Sequence, residues 1–263
     1  MARVRGAPGA AERWALTVLG ALAFFGIWHG IAASGLVSAQ ALPTPGAVLS
    51  TAWRLVFEPF AGHTLTQHLL ASLGRFGMGF GLAALVGIPL GLAMGRWRLL
   101  DDIVSPIFEM LRFVAPLAWV PFAALWFGTG IGGPVMVIFA GAFPPCLINA
   151  YRGAKLVEPR LVEAAQTLGA SGLRIMAEVL LPGSLPSIVA GLRVSAGLAW
   201  QSLIGAELIV ASAGIGYVMV QAQSNLAPAI VMAGMLAVGL VGVLLDVGLR
   251  RAEKLVQSRW GQT

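Results

Sequence analysis

Few side chains in this sequence have the type and spacing to do chemistry, and most of those lie inside apolar runs. Glu109 and Arg112 stand three apart, the spacing that puts two side chains on one helix face. Arg193 and Glu207 share another apolar run with Ser195, Gln201 and Ser202 between them. Charges in hydrocarbon are costly, so Glu109 and Arg112 are expected to form an intramembrane ion pair facing the bundle interior. Ser195, Gln201, Ser202 and Glu207 are expected to face protein or water. A lone cysteine, Cys146, excludes an intrachain disulfide and a multi-cysteine metal site, and reads as a packed thiol. His29 lies in an apolar run and reads as packing or interfacial. His63 and His68 are five apart, off one helical face, and read as solvated. No metal site is expected.

Enzymatic motifs are missing. The sequence has no G-x-x-x-x-G-K-[ST] to cradle ATP phosphates, no H-E-x-x-H, and no Ser/His/Asp set that spacing supports. Gly79-Phe80-Gly81-Leu82-Ala83-Ala84 nominally fits a dinucleotide fingerprint. No strand precedes it and it sits in an apolar run, so that reading fails. The chain is not expected to be an enzyme or to bind a cofactor. If it drives transport, the energy has to come from another polypeptide.

The elements that must position these residues follow from composition. Of 263 residues, 58% are hydrophobic and 11% charged, against about 25% charged in a soluble domain. Such a chain cannot cover itself with polar surface, and lipid is the solvent that fits. The net charge of +6 is scattered between apolar runs, which indicates loop bias and contact with anionic headgroups rather than nucleic acid.

Six runs are long enough to span. The first, Trp14–Ile31, follows a basic tail, Met1–Arg13. With Ala39-Gln40-Ala41 after it, that segment also resembles a cleavable signal peptide; the length of the run favours a retained helix. An interfacial helix around Val48–Phe57, anchored by Trp53, precedes the second span, Gln67–Gly95. Gly77, Gly81, Gly87, Gly91 and Gly95 give that span small residues that permit close helix approach. The third, Val104–Phe127, should bend at Pro116 and Pro121, and the fourth, Pro134–Tyr151, is interrupted at Pro144-Pro145. The fifth, Ile188–Val210, is the least comfortable. Its apolar residues supply about 3–6 kcal/mol of insertion energy, while Arg193 and Glu207 each cost about 2.5–3.5 kcal/mol at mid-depth. It has to rely on partner helices. An outer loop, Ala211–Pro228, leads to the sixth span, Ala229–Leu249, and a basic tail, residues 250–263.

Between the fourth and fifth spans, residues 152–187 form the long polar connection. Pro159 suits a first helical position, Leu161, Val162, Ala165 and Leu168 recur at helical spacing, and Gly169 fits a left-handed helix stop. A second short helix, about Ser171–Leu180, would pair Arg174 with Glu178 and be stopped by Pro182 and Pro186. This is a helix–turn–helix platform with an exposed apolar stripe. Basic residues fix its side: Arg3, Arg5, Arg13, Arg96, Arg98, Arg152, Lys155, Arg160, Arg174, Arg250, Arg251, Lys254 and Arg259 fall on one face, against Arg54 alone on the other. The positive-inside rule puts both termini and the platform in the cytoplasm, with residues 14–249 as the membrane domain.

Glu163-Ala164-Ala165, Gly169, Val179 and Leu181-Pro182 resemble the EAA loop of ABC-importer permeases, with Val179 in place of that family's isoleucine. From about Pro43 to Trp260 the chain is similar to the nitrate, taurine and alkanesulfonate group. The matching stretches include Ala71-Ser72-Leu73-Gly74-Arg75, Glu109-Met110-Leu111-Arg112, Pro116-Leu117-Ala118-Trp119-Val120-Pro121, Ala206-Glu207-Leu208 and Gly214-Ile215-Gly216. Two departures are Ala142-Phe143-Pro144-Pro145, for the group's Phe-Phe-Pro run, and Asn225, where aspartate is common.

The resemblance implies an all-α polytopic permease in a bacterial inner membrane, acting as a homodimer with ATP-binding subunits and an extracytoplasmic substrate-binding protein. ATP and Mg would be held by the ATPase. Glu163, Ala164, Ala165, Gly169, Leu181 and Pro182 would couple to it, and Ser195, Gln201, Ser202 and Glu207 would line the pathway or make ordinary interhelical hydrogen bonds. The rival reading is a secondary transporter or channel subunit that needs no ATPase.

Overall fold

The computed structural model describes residues 9–38 and 41–260, and the regular structure among them is all helical, without a β-strand. Three long helices form the centre: α3 (Leu65–Arg96), α6 (Gly132–Leu156) and α9 (Leu181–Val210). Their helix numbers count from α1 (Ala10–Ala33) and α2 (Pro45–Phe57), with α4 (Arg98–Leu111), α5 (Val120–Phe127), α7 (Pro159–Thr167), α8 (Gly172–Ile175), α10 (Ile215–Ser224) and α11 (Pro228–Trp260) completing the chain. α6 lies between α3 and α9, and α11 covers α9. Phe76 and Ala83 of α3, Ile138 and Ala142 of α6, and Ala199 and Leu203 of α9 make the shared core.

Small residues let α3 and α6 come this close. A Cβ added at Gly91 would stand 2.9 Å from both the Ala150 Cβ and the Tyr151 nitrogen. Gly87 and Gly95 face Cys146 and Ala154 in the same way, whereas Gly77 and Gly81 face open space. The close-approach stripe therefore runs through Gly79, Gly87, Gly91 and Gly95. At its other end Thr64 and Gln67 form a reciprocal capping box, which satisfies two backbone donors that a helix start leaves free.

Proline acts differently at each place. The expected third span is two half-helices, α4 and α5, joined through a 3-10 turn at Pro116–Trp119 and bent by 89°. Ala115, with φ −56° and ψ 138°, is extended, as a residue before proline is driven to be. By contrast α6 runs unbroken through Pro144 and Pro145, which corrects the expected interruption: helices packed on both sides hold it in shape. Pro182 and Pro186 do not stop the chain either. A π-turn at Met176–Leu180, in which the Leu181 N–H bonds the Met176 carbonyl, absorbs one extra residue and leads straight into α9. Gly172–Val210 is thus one continuous helix of 39 residues, not a short helix followed by a span.

The expected outer loop Ala211–Pro228 is also largely helix. α10 buries Ile215, Val218, Met219 and Ala222 against α9 and α11. α2 closes the same end through Val48 and Leu55, packed on Val218, Ala222, Ile230 and Ala233. α11 continues past Leu249, where the apolar pattern ends, to Trp260. α1 is exposed along its length and is tied to the rest by Trp28, whose Nε1 donates to the Pro43 carbonyl at 3.1 Å. Ala39 and Gln40 of the cleavage-like triplet, and Arg3 and Arg5 of the basic tail, lie outside the described residues. Among the described residues five helices are long and apolar enough to cross a membrane, six when the bent α4–α5 pair is counted as one span.

Candidate functional site

The platform is built as local sequence dictates. Pro159 occupies the first turn of α7. Gly169, at φ +77°, ends it: the Ala170 N–H bonds the Ala165 carbonyl at 3.0 Å and the Gly169 N–H bonds that of Gln166 at 2.9 Å. This pair of bonds is a Schellman stop, which needs a left-handed residue at the turn. Ser171 caps α8 by accepting from the Arg174 N–H at 3.3 Å, and the Arg174 Nε reaches the Glu178 carboxylate at 3.0 Å. Buried Ile175 roots α8 in the bundle, with Trp97 beside Gly172.

What the platform leaves uncovered matters most. No residue of α7 is buried. Glu163 and Ala164 are exposed, Ala165 is half-buried, and Leu168 is 87% exposed, beside exposed Leu161 and Leu173. At the foot of α9, Leu181 is exposed and Pro182 is partly covered. Neighbouring leucines left open on a polar surface segment mark a place where another surface can sit.

At the opposite end of the bundle lies a buried polar cluster. Glu207 and Arg75 are nearly fully enclosed and pair at 3.0 Å. The Ser72 hydroxyl sits 2.8 and 2.9 Å from the two Glu207 oxygens and accepts from the Ile215 N–H at 3.0 Å. The Gly216 N–H donates to the Glu207 Oε2 at 3.0 Å, and Arg75 donates to the Ala213 carbonyl at 2.6 Å. His68 completes the set: its Nδ1 accepts from the Gly214 N–H at 3.1 Å and its Nε2 lies 3.0 Å from the Phe60 carbonyl. His68 is therefore buried, which corrects the solvated reading; His63 is exposed. Gly214 has φ +121° and lies so close that a Cβ there would collide with the Glu207 carboxylate. The cluster fastens the start of α10 to α3 and α9.

The remaining polar residues of α9 separate by environment. Ser195 is buried, donates to the Ala142 carbonyl at 2.6 Å and accepts from Cys146 at 3.1 Å. Ser202 is buried and bonds the Leu198 carbonyl of its own helix at 2.7 Å. Gln201 is exposed. Arg193 meets two acids of α11, Asp246 at 2.8 Å and Glu253 at 3.1 Å, so the partner helix demanded by an awkward fifth span is α11.

Glu109 and Arg112 are 2.6 Å apart, Nε to Oε2. They are not enclosed within the bundle as an interior pair would be: their side chains are 50% and 36% exposed, and Arg112 lies over the Phe113 ring at 4.8 Å. The 89° break begins at Arg112, the C-cap of α4, whose side chain borders cavities that α6 helps to wall. Among the described residues no group of three or more His, Cys, Asp or Glu side chains could hold a metal.

The sequence reading did not single out Arg75, Ser72 and His68 as functional positions. A signal existed: Arg75 is the only charged residue within the second apolar run and Glu207 the only acid within the fifth, and unpaired charges of opposite sign in two spans call for each other.

A multi-pass helical bundle with a protruding two-helix platform defines the class, and its fold is shared with a solved ABC importer. A chain of the MetNI methionine ABC transporter, solved in inward-facing conformations, superposes with a TM-score of 0.64 at 18% identity, covering 73% of this chain and 95% of that one. Residues 87–262 match the model of the binding-protein-dependent transport system inner membrane component. The chain belongs to that family, whose members among its relatives are permeases of ABC transporters. A putative ABC transporter permease protein of Methanocaldococcus jannaschii is 42% identical over 81% of this chain and 80% of its own length. The taurine transport system permease protein of Escherichia coli is 37% identical, over 90% and 86%. The bicarbonate transport system permease protein of Synechocystis is 36% identical, over 91% and 87%.

Proposed function

We propose that the chain carries a small oxyanion, a sulfonate, nitrate or taurine-like solute delivered by an extracytoplasmic binding protein, across a bacterial inner membrane. Two copies form the permease, with both termini and the platform in the cytoplasm. The observation that carries this reading is α7, which buries none of its residues and leaves Leu161 and Leu168 exposed while Gly169 sets the angle to α8. α7 docks in a groove of a separate ATP-binding subunit, which holds ATP and Mg. Glu163 makes a polar contact there, Ala164 and Ala165 allow close approach, and Leu181 and Pro182 take up the motion at the foot of α9. Closure of the ATPases rocks the helices between inward- and outward-open states by rigid-body movement. Taurine, bicarbonate and sulfonate permeases among the relatives support a small solute that bears an oxyanion group. The test is co-purification: Gly169→Leu and Glu163→Arg should insert normally yet lose the ATPase subunit. Normal association of both variants would return the chain to the reading of a secondary transporter or channel subunit.

A further inference from the structure

Within the reading of the chain as an importer permease, on which this rests, we infer that Arg112 is a binding group of the translocation pathway, taking a compact oxyanion at the break between α4 and α5. Arg112 closes α4 at the start of the 89° bend. Discontinuous helices at membrane depth are where transporters place solute sites, because the freed backbone can line a polar cavity but not lipid.

Depth excludes the membrane surface. Arg112 lies about 21 Å along α4 from Arg98 at about 1.5 Å per residue. It also borders a cavity with Pro144, midway along the 25 residues of α6. A guanidinium there is far from either headgroup layer, and intramembrane arginines face water-filled or protein-lined space. Two cavities meet at this side chain, of about 290 Å³ and 220 Å³. Their other walls are apolar, among them Phe108, Trp119, Phe139 and Leu198, with Arg112 common to both.

The guanidinium is also incompletely used. Glu109 takes the Nε, and among the described residues no acceptor is bonded to either Nη. Those nitrogens carry four N–H donors in a planar fork, which suits a carboxylate, sulfonate or nitrate. Phe113 stacks beneath the guanidinium carbon at 4.8 Å and holds it in place. Ser195, Ser202 and Glu207 have their partners inside the bundle, and Arg75 and Arg193 each have one Nη already engaged. This leaves Arg112 as the arginine at mid-depth within the spans whose two Nη groups are both free among the described residues.

The test is the charge preference of a neighbouring cysteine in the full-length chain, reconstituted in nanodiscs of phosphatidylcholine. Leu111→Cys, which borders the larger cavity, is modified with an anionic and a cationic methanethiosulfonate reagent. Buried Cys146 gives the background in the unsubstituted chain. The anionic reagent should react faster, roughly tenfold relative to its rate beside Arg112→Gln, and millimolar nitrate or methanesulfonate should slow it only when Arg112 is present. Arg112→Lys should keep the preference, which separates charge from folding. No reaction with either reagent, or equal ratios with and without Arg112, overturns the site. If added phosphatidylglycerol abolishes the preference, a lipid phosphate is the occupant and the solute site falls. ATPase co-purification is read separately on Arg112→Gln, so loss of the importer reading is distinguishable from loss of the anion site.

Discussion

Arg75 on α3 and Glu207 on α9 lie 132 positions apart and meet at 3.0 Å in an environment that leaves Arg75 5% and Glu207 1% exposed. Removing one partner strands the other charge, so Arg75→Ala or Glu207→Ala should each destabilise the protein by about 3–5 kcal/mol. The apolar double variant Arg75→Met with Glu207→Leu should recover much of that loss. Thermal unfolding in lipid nanodiscs measures all three; equal loss in the double variant would show that the backbone bonds of Glu207, not the pair, carry the effect.

One helix contains its own control for packing. Gly91→Val adds side-chain atoms where Ala150 and Tyr151 already stand, and overpacking of this kind should cost about 1–3 kcal/mol. Gly77→Ala adds one methyl where nothing lies within 4 Å and should be neutral or slightly stabilising. Comparing the melting temperatures of the two variants checks the α3–α6 contact.

Cysteine labelling separates the faces of α9. A cysteine replacing exposed Gln201 should react readily with a small polar thiol reagent, whereas one replacing buried Ser202 should react far more slowly. Rapid labelling at 202 in this conformation would contradict the packing of α9 on α6.

The charges of α9 and α11 are more exposed and should matter less. The Arg193 side chain is 33% exposed while bonded to Asp246 and Glu253, so solvent screens it and Arg193→Gln should cost no more than about 1 kcal/mol. A loss as large as that from Arg75→Ala would show that this clamp is buried by a second copy or by lipid.

Glu109 competes for Arg112. Glu109→Gln removes the carboxylate 2.6 Å from the guanidinium and should raise the anionic preference at Leu111→Cys further. An unchanged ratio would mean that the Glu109 charge is not felt where the reagent reacts.

Features set by near neighbours in sequence were readable in advance. Hydropathy located the spans because twenty apolar residues have one stable place to go, and Pro159 and Gly169 bracketed α7 because a missing N–H and a left-handed turn are local requirements. Features set by distant packing were not. The prolines at 144, 145, 182 and 186 read as breaks, yet surrounding helices and one π-turn keep their segments helical. His68 read as solvated because nothing near it in sequence announces Gly214, 146 positions away. The partial exposure of Glu109 and Arg112 depends on the bend that follows them at Ala115, which proline restricts without fixing its direction.

The uninterrupted run from Gly172 to Val210 has a mechanical corollary. At 39 residues it is a rod of about 58 Å, rooted beside α7 at one tip and carrying Glu207 near the other. Tilting the first tip must swing the second, and with it the strap that Glu207, Ser72 and His68 fasten to α10. The loosened joints along its length are the π-turn at Met176–Leu180 and Pro182 and Pro186, which offer no N–H to the ladder. All lie in the half next to the platform, so give concentrates there and the far end follows the remainder as a stiff body.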